Sequence, residues 1–267
     1  MSAASPYSPS FEPLFLALGA LAAYVYFRAV GGGGVPRTKI AVFAVGLVVM
    51  VAALNSPLET LAVDYLLLIH LLQNVMIADW APPLLILGLT PAMRIAIARR
   101  AGPPFAWLTR PKIALPTWLL GWYAIHLAGF YDLALRNPWL LNVEHVLLIA
   151  IGLVFWWPVL SDAPHGVSTP IKLGYLGAAF VGSAFLGLAL TFSEKPFYDY
   201  YTEVPRLWGL SPAQDQNYGG ILMNGEQALV FLAAITYFLV RLFKEEEAKE
   251  QELARRQREQ LPEADDR

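Results

Sequence analysis

YLLLIHLLQNVMIADWAPPLLILGL, Tyr65 to Leu89, is the stretch whose reading decides the fold. It is apolar for long enough to cross the roughly 30 Å hydrocarbon core of a bilayer, which takes about 20 residues of helix. Yet it also carries His70, Gln73, Asn74 and Asp79. His70, Gln73 and Asn74 stand at i, i+3 and i+4, so they share one helical face. Ionisable groups inside a span are expensive and mark a bundle interior or a wet cavity rather than a lipid-facing surface. Pro82-Pro83 removes two backbone donors and predicts a kink or interruption near the lower end of the run.

Six further runs of the same kind surround it: Leu14 to Val30, Ile40 to Leu54, Ile113 to Phe130, Leu140 to Leu160, Leu173 to Phe192 and Ile221 to Phe243. Of the 267 residues, 57% are hydrophobic and only 15% charged, against about 25% charged in an ordinary soluble domain. The expected fold class is therefore all-α: a polytopic membrane protein built as a seven-transmembrane-helix bundle. Residues 1–243 would form the membrane domain and residues 244–267 a charged tail, a solvated helical extension that frays. No basic region precedes the first run, so it reads as a retained span and not as a signal peptide.

Positive charge orients the bundle. Sixteen of the 19 Lys and Arg fall in the 1–2 loop, the 3–4 loop, at Lys172 and in the tail, leaving Arg136, Lys195 and Arg206 for the other side. The N-terminus is expected outside and the C-terminus in the cytoplasm. A net charge of −2 offers no basic face for nucleic acid. The chain has no Cys, which excludes disulfides, thiolate metal sites, covalent haem attachment and Cys nucleophiles. No HExxH or GxSxG in a fitting context suggests a hydrolase. Several other features read as structural: Gly31 to Gly34 as a flexible connector, the small residues Gly174, Gly177, Gly182 and Gly187 as close helix packing, Trp156 and Trp157 as interfacial anchors, and His165 as a solvated loop residue.

Three of the four His share one level. His70, His126 and His145 come from three different spans, each within about 6 to 9 Å of the outer end at 1.5 Å per residue. Met223, Glu226 and Gln227 repeat the i, i+3, i+4 spacing in the last span, Glu144 precedes His145, and the outer loops add Asp132, Asp215 and Gln216. A donor set of His and Met suits copper, whereas zinc more usually recruits Cys or carboxylate beside His. Two His on facing helices, His126 and His145, would also serve as axial ligands of a haem. Asp79 lies in the inner half, away from the His level, where an ion pathway would need it. Glu226 also reads as a cap on the outer start of the last span, where the helix dipole favours an acid.

Four motifs carry a resemblance. HLLQNVMIADWAPPLLILGLTP (from His70), HLAGFYDLALRN (from His126), EHVLLIAIGLVFWWPVL (from Glu144) and DQNYGGILMNGEQ (from Asp215) together resemble the CtaG family of caa3-type cytochrome c oxidase assembly factors, in order from about the second span to the end of the seventh. The resemblance implies a non-enzymatic role in forming a copper-containing oxidase, in a bacterial inner membrane, with an oxidase subunit or a copper chaperone as partner. His70, Gln73, His126, Glu144, His145, Asp215, Gln216 and Met223 match the family's polar positions. Two positions depart from it: Asn74 stands where the family carries a second His, and Asp79 interrupts a segment that is usually apolar. On this reading copper is held near the outer face by His70, His126 and His145 with Met223. Gln73, Asn74, Glu144, Gln216 and Glu226 support those ligands, and Asp132 and Asp215 draw cations to an entrance. A copper permease using Asp79 as its inner step, and a membrane haem or redox protein, are the alternatives.

Overall fold

The computed structural model describes residues 5–260. Among these residues every regular element is a helix. α1 (Pro13–Val30) and α2 (Arg37–Leu54) cross as straight spans, joined through the Gly31 to Gly34 connector, in which Gly33 and Gly34 take positive φ. A short helix, α3 (Pro57–Asp64), follows at the far end of α2, capped by the Ser56 hydroxyl accepting from the Leu58 amide. The expected third span therefore starts two residues later than its apolar run, at Leu67.

That third span is a composite. α4 (Leu67–Val75) passes through a π-helical turn, Met76–Trp80, into α5 (Ala81–Gly88). The interruption lies before the prolines and not at them. Pro82 and Pro83 occupy the first turn of α5, where a missing N–H costs little. The strain moves one turn back, where the Ala81 amide bonds to the Met76 carbonyl, i to i−5. π-turns of this kind recur at functional sites in helices. This composite is the centre of the bundle: 61% of its span window is buried, against 17% for α1.

α6 (Pro91–Leu108) lies in the 3–4 loop and bends at Gly102, whose φ of 68° precedes Pro103-Pro104. The fourth span does not run straight to Phe130. α7 (Pro111–Ile125) ends at His126, and α8 (Ala128–Leu135) leaves at 67° to it. α9 (Pro138–Leu160) and α10 (Thr169–Phe192) are continuous. After the short α11 (Tyr200–Glu203), α12 (Pro212–Gln260) runs 49 residues without a break. Among the described residues six helical segments, the α4–α5 composite counted as one, are long and apolar enough to cross a membrane, and the bent α7–α8 pair, taken as one span, makes seven.

Beyond residue 243 α12 continues as an exposed helix, laced by pairs such as Arg241–Glu245 and Arg256–Glu252, while residues 261–267 of the tail lie outside the described residues. Three expectations need correction. Trp156 and Trp157 are core residues, at 1% and 4% exposure, packed with Phe155, Tyr175 and Phe231 and not anchored in an interface. His165 is half-buried and bonded through Nε2 to the Ala106 carbonyl. Glu226 caps nothing, because α12 begins 14 residues before it.

The small residues of α10 divide by position. A Cβ at Gly220 of α12 would stand 2.6 Å from the Gly187 carbonyl, and one at Gly182 would meet Leu119, so close packing uses this part of the stripe. Gly174 and Gly177 meet nothing within 4 Å.

Candidate functional site

The polar face of α4 is buried in a polar cluster, the imidazole chamber of the bundle. It comprises His70, Gln73 and Asn74 from α4, Glu144 and His145 from α9, and Tyr131 from α8, all at 5% exposure or less. The His70 and His145 rings meet edge to face with centroids 5.9 Å apart, and the Tyr131 ring lies 5.0 Å from His70 and 5.6 Å from His126. Tyr131 thus links the imidazoles, although only its neighbours in its motif attract notice in the sequence.

Hydrogen bonding settles two tautomers. The Tyr201 hydroxyl donates to the Ala62 carbonyl at 2.6 Å, so its oxygen accepts from His70 Nδ1–H at 2.9 Å. His126 Nδ1 lies 2.7 Å from the Trp122 carbonyl, which can only accept. In both neutral rings the proton is therefore on Nδ1, and Nε2 presents a bare lone pair with no partner. Both nitrogens of His145 and both carboxyl oxygens of Glu144 also lack a partner. Glu144 Oε1 stands 4.0 Å from His70 Nε2, too far for a hydrogen bond. Asn74 faces the Glu144 carboxyl and the Tyr131 hydroxyl without closing a good hydrogen bond to either. Buried polar atoms are normally satisfied, so this concentration of orphans at one place is a signal of a ligand site.

The three His do not close on a single point. Among the described residues no three His, Asp or Glu side chains stand close enough to share one ion. His70, His145 and Glu144 approach as a group, while His126 sits at the α7–α8 bend against Trp122 and Tyr131. His145 packs instead on Phe15 and His70, so the haem pair considered from the sequence is divided between different aromatic surroundings. Met223 is fully buried in the core cluster that also holds Leu71, Val75, Trp122 and Tyr131.

The remaining candidates hold the scaffold. Asp215 is fully buried and not at a mouth: its two oxygens accept from the Leu67 and Leu68 amides at 3.0 Å, and Arg206 bonds it at 3.1 Å. α4 has no cap of its own at Leu66, so α12 supplies one, one turn before His70. Asp132 does the same for α11, accepting from Asp199 and Tyr200. Gln216 fastens the loop before α11, accepting from the Phe197 amide and donating to the Leu190 and Lys195 carbonyls. Tyr198 donates to the carbonyl of His126, which the bend frees. Glu226 lines a different cavity, toward the tail end, together with Asp79. Asp79 is fully buried and accepts from Gln227 Nε2 at 2.9 Å.

Gln73 leads to a carboxyl that the sequence reading missed. Its Nε2 donates to the Ala53 carbonyl and to Glu59 of α3. Burial lifts the Glu59 carboxyl to about 8, with Gln73 opposing and Glu12 and Asp64 adding to the rise. Because the folded state holds this proton more tightly than the unfolded chain, the stability it contributes is present below about pH 4.5 and is lost as pH rises toward about 8. Glu59→Gln should therefore gain in Tm over the wild type as the pH moves from 5 to 8.5, on the order of several degrees. Parallel thermal unfolding in detergent checks this, and curves that stay superimposed across the range would contradict the assignment. The signal available in sequence was weak: an isolated Glu near the end of a span.

The fold and the chamber define a polytopic helical membrane protein with a buried imidazole–carboxyl cluster reached by three spans. The comparison with family profiles is specific: the profile of the cytochrome c oxidase caa3 assembly factor (Caa3_CtaG) matches residues 19–245, and the chain belongs to that family. An uncharacterized protein of Mycobacterium leprae is 24% identical over 229 residues, covering 78% of this chain and 34% of its own length. Uncharacterized proteins of Mycobacterium bovis and Mycobacterium tuberculosis are each 26% identical over 172 residues, covering 57% of this chain and 26% of theirs. The chain thus spans about a third or less of the curated relatives it matches. No solved structure matches it.

Proposed function

We propose that this chain is a non-enzymatic factor in the assembly of a copper-containing cytochrome c oxidase, and that copper is its cargo at the chamber between α4, α8 and α9. One observation carries the copper step: two buried imidazoles each give their Nδ1 proton to a protein acceptor and keep Nε2 bare, one of them beside a carboxyl without a partner. A metal-ligating His is held in this way, its second nitrogen anchored by hydrogen bonding. His70 Nε2 and the Glu144 carboxyl would take the ion first, with His145, its ring 5.9 Å from that of His70, and His126, beyond the Tyr131 ring, as separate further donors. Met223 is buried in the core cluster that holds Trp122 and Tyr131, the residues that flank His126, and stays the candidate sulfur donor. The positive-charge bias favours a bacterial inner membrane orientation with the chamber toward the outer face, where an oxidase subunit or a copper chaperone would exchange the metal. Asn74, in place of the family's second His, leaves this member an amide where imidazole would bind more strongly.

The test is copper bound per monomer after reconstitution and desalting. Wild type should hold about one ion, and His70→Ala/His145→Ala should lose it while remaining folded in the membrane. Tyr201→Phe removes the acceptor for His70 Nδ1–H, together with the donor to the Ala62 carbonyl, and should weaken binding about tenfold. Wild-type protein that retains no copper would overturn the cargo assignment, and unchanged binding in the double variant would overturn the ligands.

A further inference from the structure

At the other end of the bundle, away from the imidazoles, lies a cavity of about 810 Å³. Its shaft is apolar, formed by Leu84 and Leu87 of α5 and by Leu229, Val230 and Ala233 of α12. Trp80 and Trp156 close the deep end, where Asp79 is held in the wall by Gln227.

The mouth has the opposite character. Lys39, Arg94, Lys172 and Arg241 reach it from α2, α6, α10 and α12. They converge because α2, α6 and α10 begin at this end while α12 passes out of the apolar zone here. Two of the four direct their hydrogen bonds to carbonyls, Lys39 Nζ to that of Leu87 at 2.6 Å and Arg94 to that of Leu160, with Asp162 the charged neighbour of Arg94. Arg94 Nε is buried with no acceptor. Lys172, at 3% exposure, faces Asp162 at 3.5 Å and stands 5.3 Å from the Phe238 ring centre. Arg241 pairs with Glu245. Two further carboxyls line the cavity, Glu226 in the wall and the exposed Asp162 among the cations, so four cations against Asp162 leave the mouth net positive. An apolar shaft under a cationic mouth complements an amphiphile with an anionic head, as basic pockets between transmembrane helices do for acidic lipid headgroups.

We propose that this cavity binds an anionic glycerophospholipid, its phosphate at Arg94 and Lys172 with Lys39 and Arg241 beside them, and its acyl chains along α5 and α12. The site is independent of copper handling and stands whether or not the chamber binds metal.

Purified full-length protein in detergent is titrated with phosphatidylglycerol, phosphatidylcholine or glycerol 3-phosphate, and Tm is read at each concentration. Phosphatidylglycerol should raise Tm saturably, and the other two should not. Each cation removed should weaken binding about fivefold, so Lys172→Gln/Arg241→Gln should shift the titration midpoint about 25-fold. Ala233→Trp keeps every charge and fills the shaft, and should abolish the response without lowering the lipid-free Tm. An equal response to phosphatidylcholine would make this a non-selective lipid groove. A response to glycerol 3-phosphate alone would make it a free-anion site, and a wild-type response in both variants would remove the site altogether. Each of these three results overturns the proposal.

Discussion

Gly152→Val is expected to abolish accumulation of the folded protein, with a cost of at least about 3 kcal/mol. A Cβ at position 152 would stand 2.3 Å from the Ala78 carbonyl oxygen and 3.0 Å from the Pro82 ring, and the carbonyl is backbone that no rotamer change can move aside. The contact has a cause in the sequence. Ala78 would normally bond to the amide of residue 82, or of 83 in a π-turn, and both are proline. The freed carbonyl lies where only a glycine of α9 can approach. Widening this contact would also displace Glu144 and His145, which lie on α9 two turns away. Gly174→Ala, on α10 with nothing within 4 Å, is the control and should be neutral or slightly stabilising. Size-exclusion of detergent extracts reads both, and a monodisperse Gly152→Val protein with wild-type Tm would show that α9 does not depend on this approach.

Asp215→Ala should cost about 3 kcal/mol, because it strands three donors together: the Leu67 and Leu68 amides and the Arg206 guanidinium. The loss should also reach the chamber. Asp215 places a negative charge at the start of α4, where the helix dipole favours it, and His70 sits in the first turn of the same helix. Arg206→Gln leaves both amides capped, although it gives up the bonds to the Tyr201 and Leu210 carbonyls as well as the ion pair, so its effect should be smaller, about 1 to 2 kcal/mol. Tm in detergent separates the two variants. Equal losses would assign the energy to the ion pair and not to the cap.

The sequence pattern was informative where one residue type answers to one physical demand. Runs of about 20 apolar residues located the spans, because lipid accepts helices and little else. Intramembrane polar residues pointed to His70, Gln73, Asn74, Glu144 and His145; all five are buried, with His70 beside His145 and Glu144, and Gln73 turned to Glu59 and the Ala53 carbonyl. The same reasoning misplaced Trp156 and Trp157, since an indole near a span end suits an interface and a packed core equally well. Asp132 and Asp215 read as entrance groups and Gln216 as a support for the ligands; the hydrogen bonds they make are to backbone amides and carbonyls of distant segments, and carboxylates that cap helices have no local pattern when the helix lies 148 residues away. Tyr131 and Tyr201 carried no polar periodicity at all. Their importance comes from ring contacts and from a hydroxyl that decides which nitrogen of His70 is bare.

By itself, then, the sequence determined an all-helical membrane bundle, its seven apolar runs, its family and the set of polar groups that lipid would not tolerate. These follow from the solvent, which acts on each segment separately. The tertiary structure decided what depends on rotation and bending of helices against one another: that the prolines displace their strain into a π-turn at Met76–Trp80, that the fourth span breaks at His126, and that His70 and His145 approach Glu144 while His126 stands apart. Helix rotation is set by packing such as Gly152 on Ala78, and no segment read alone contains that contact.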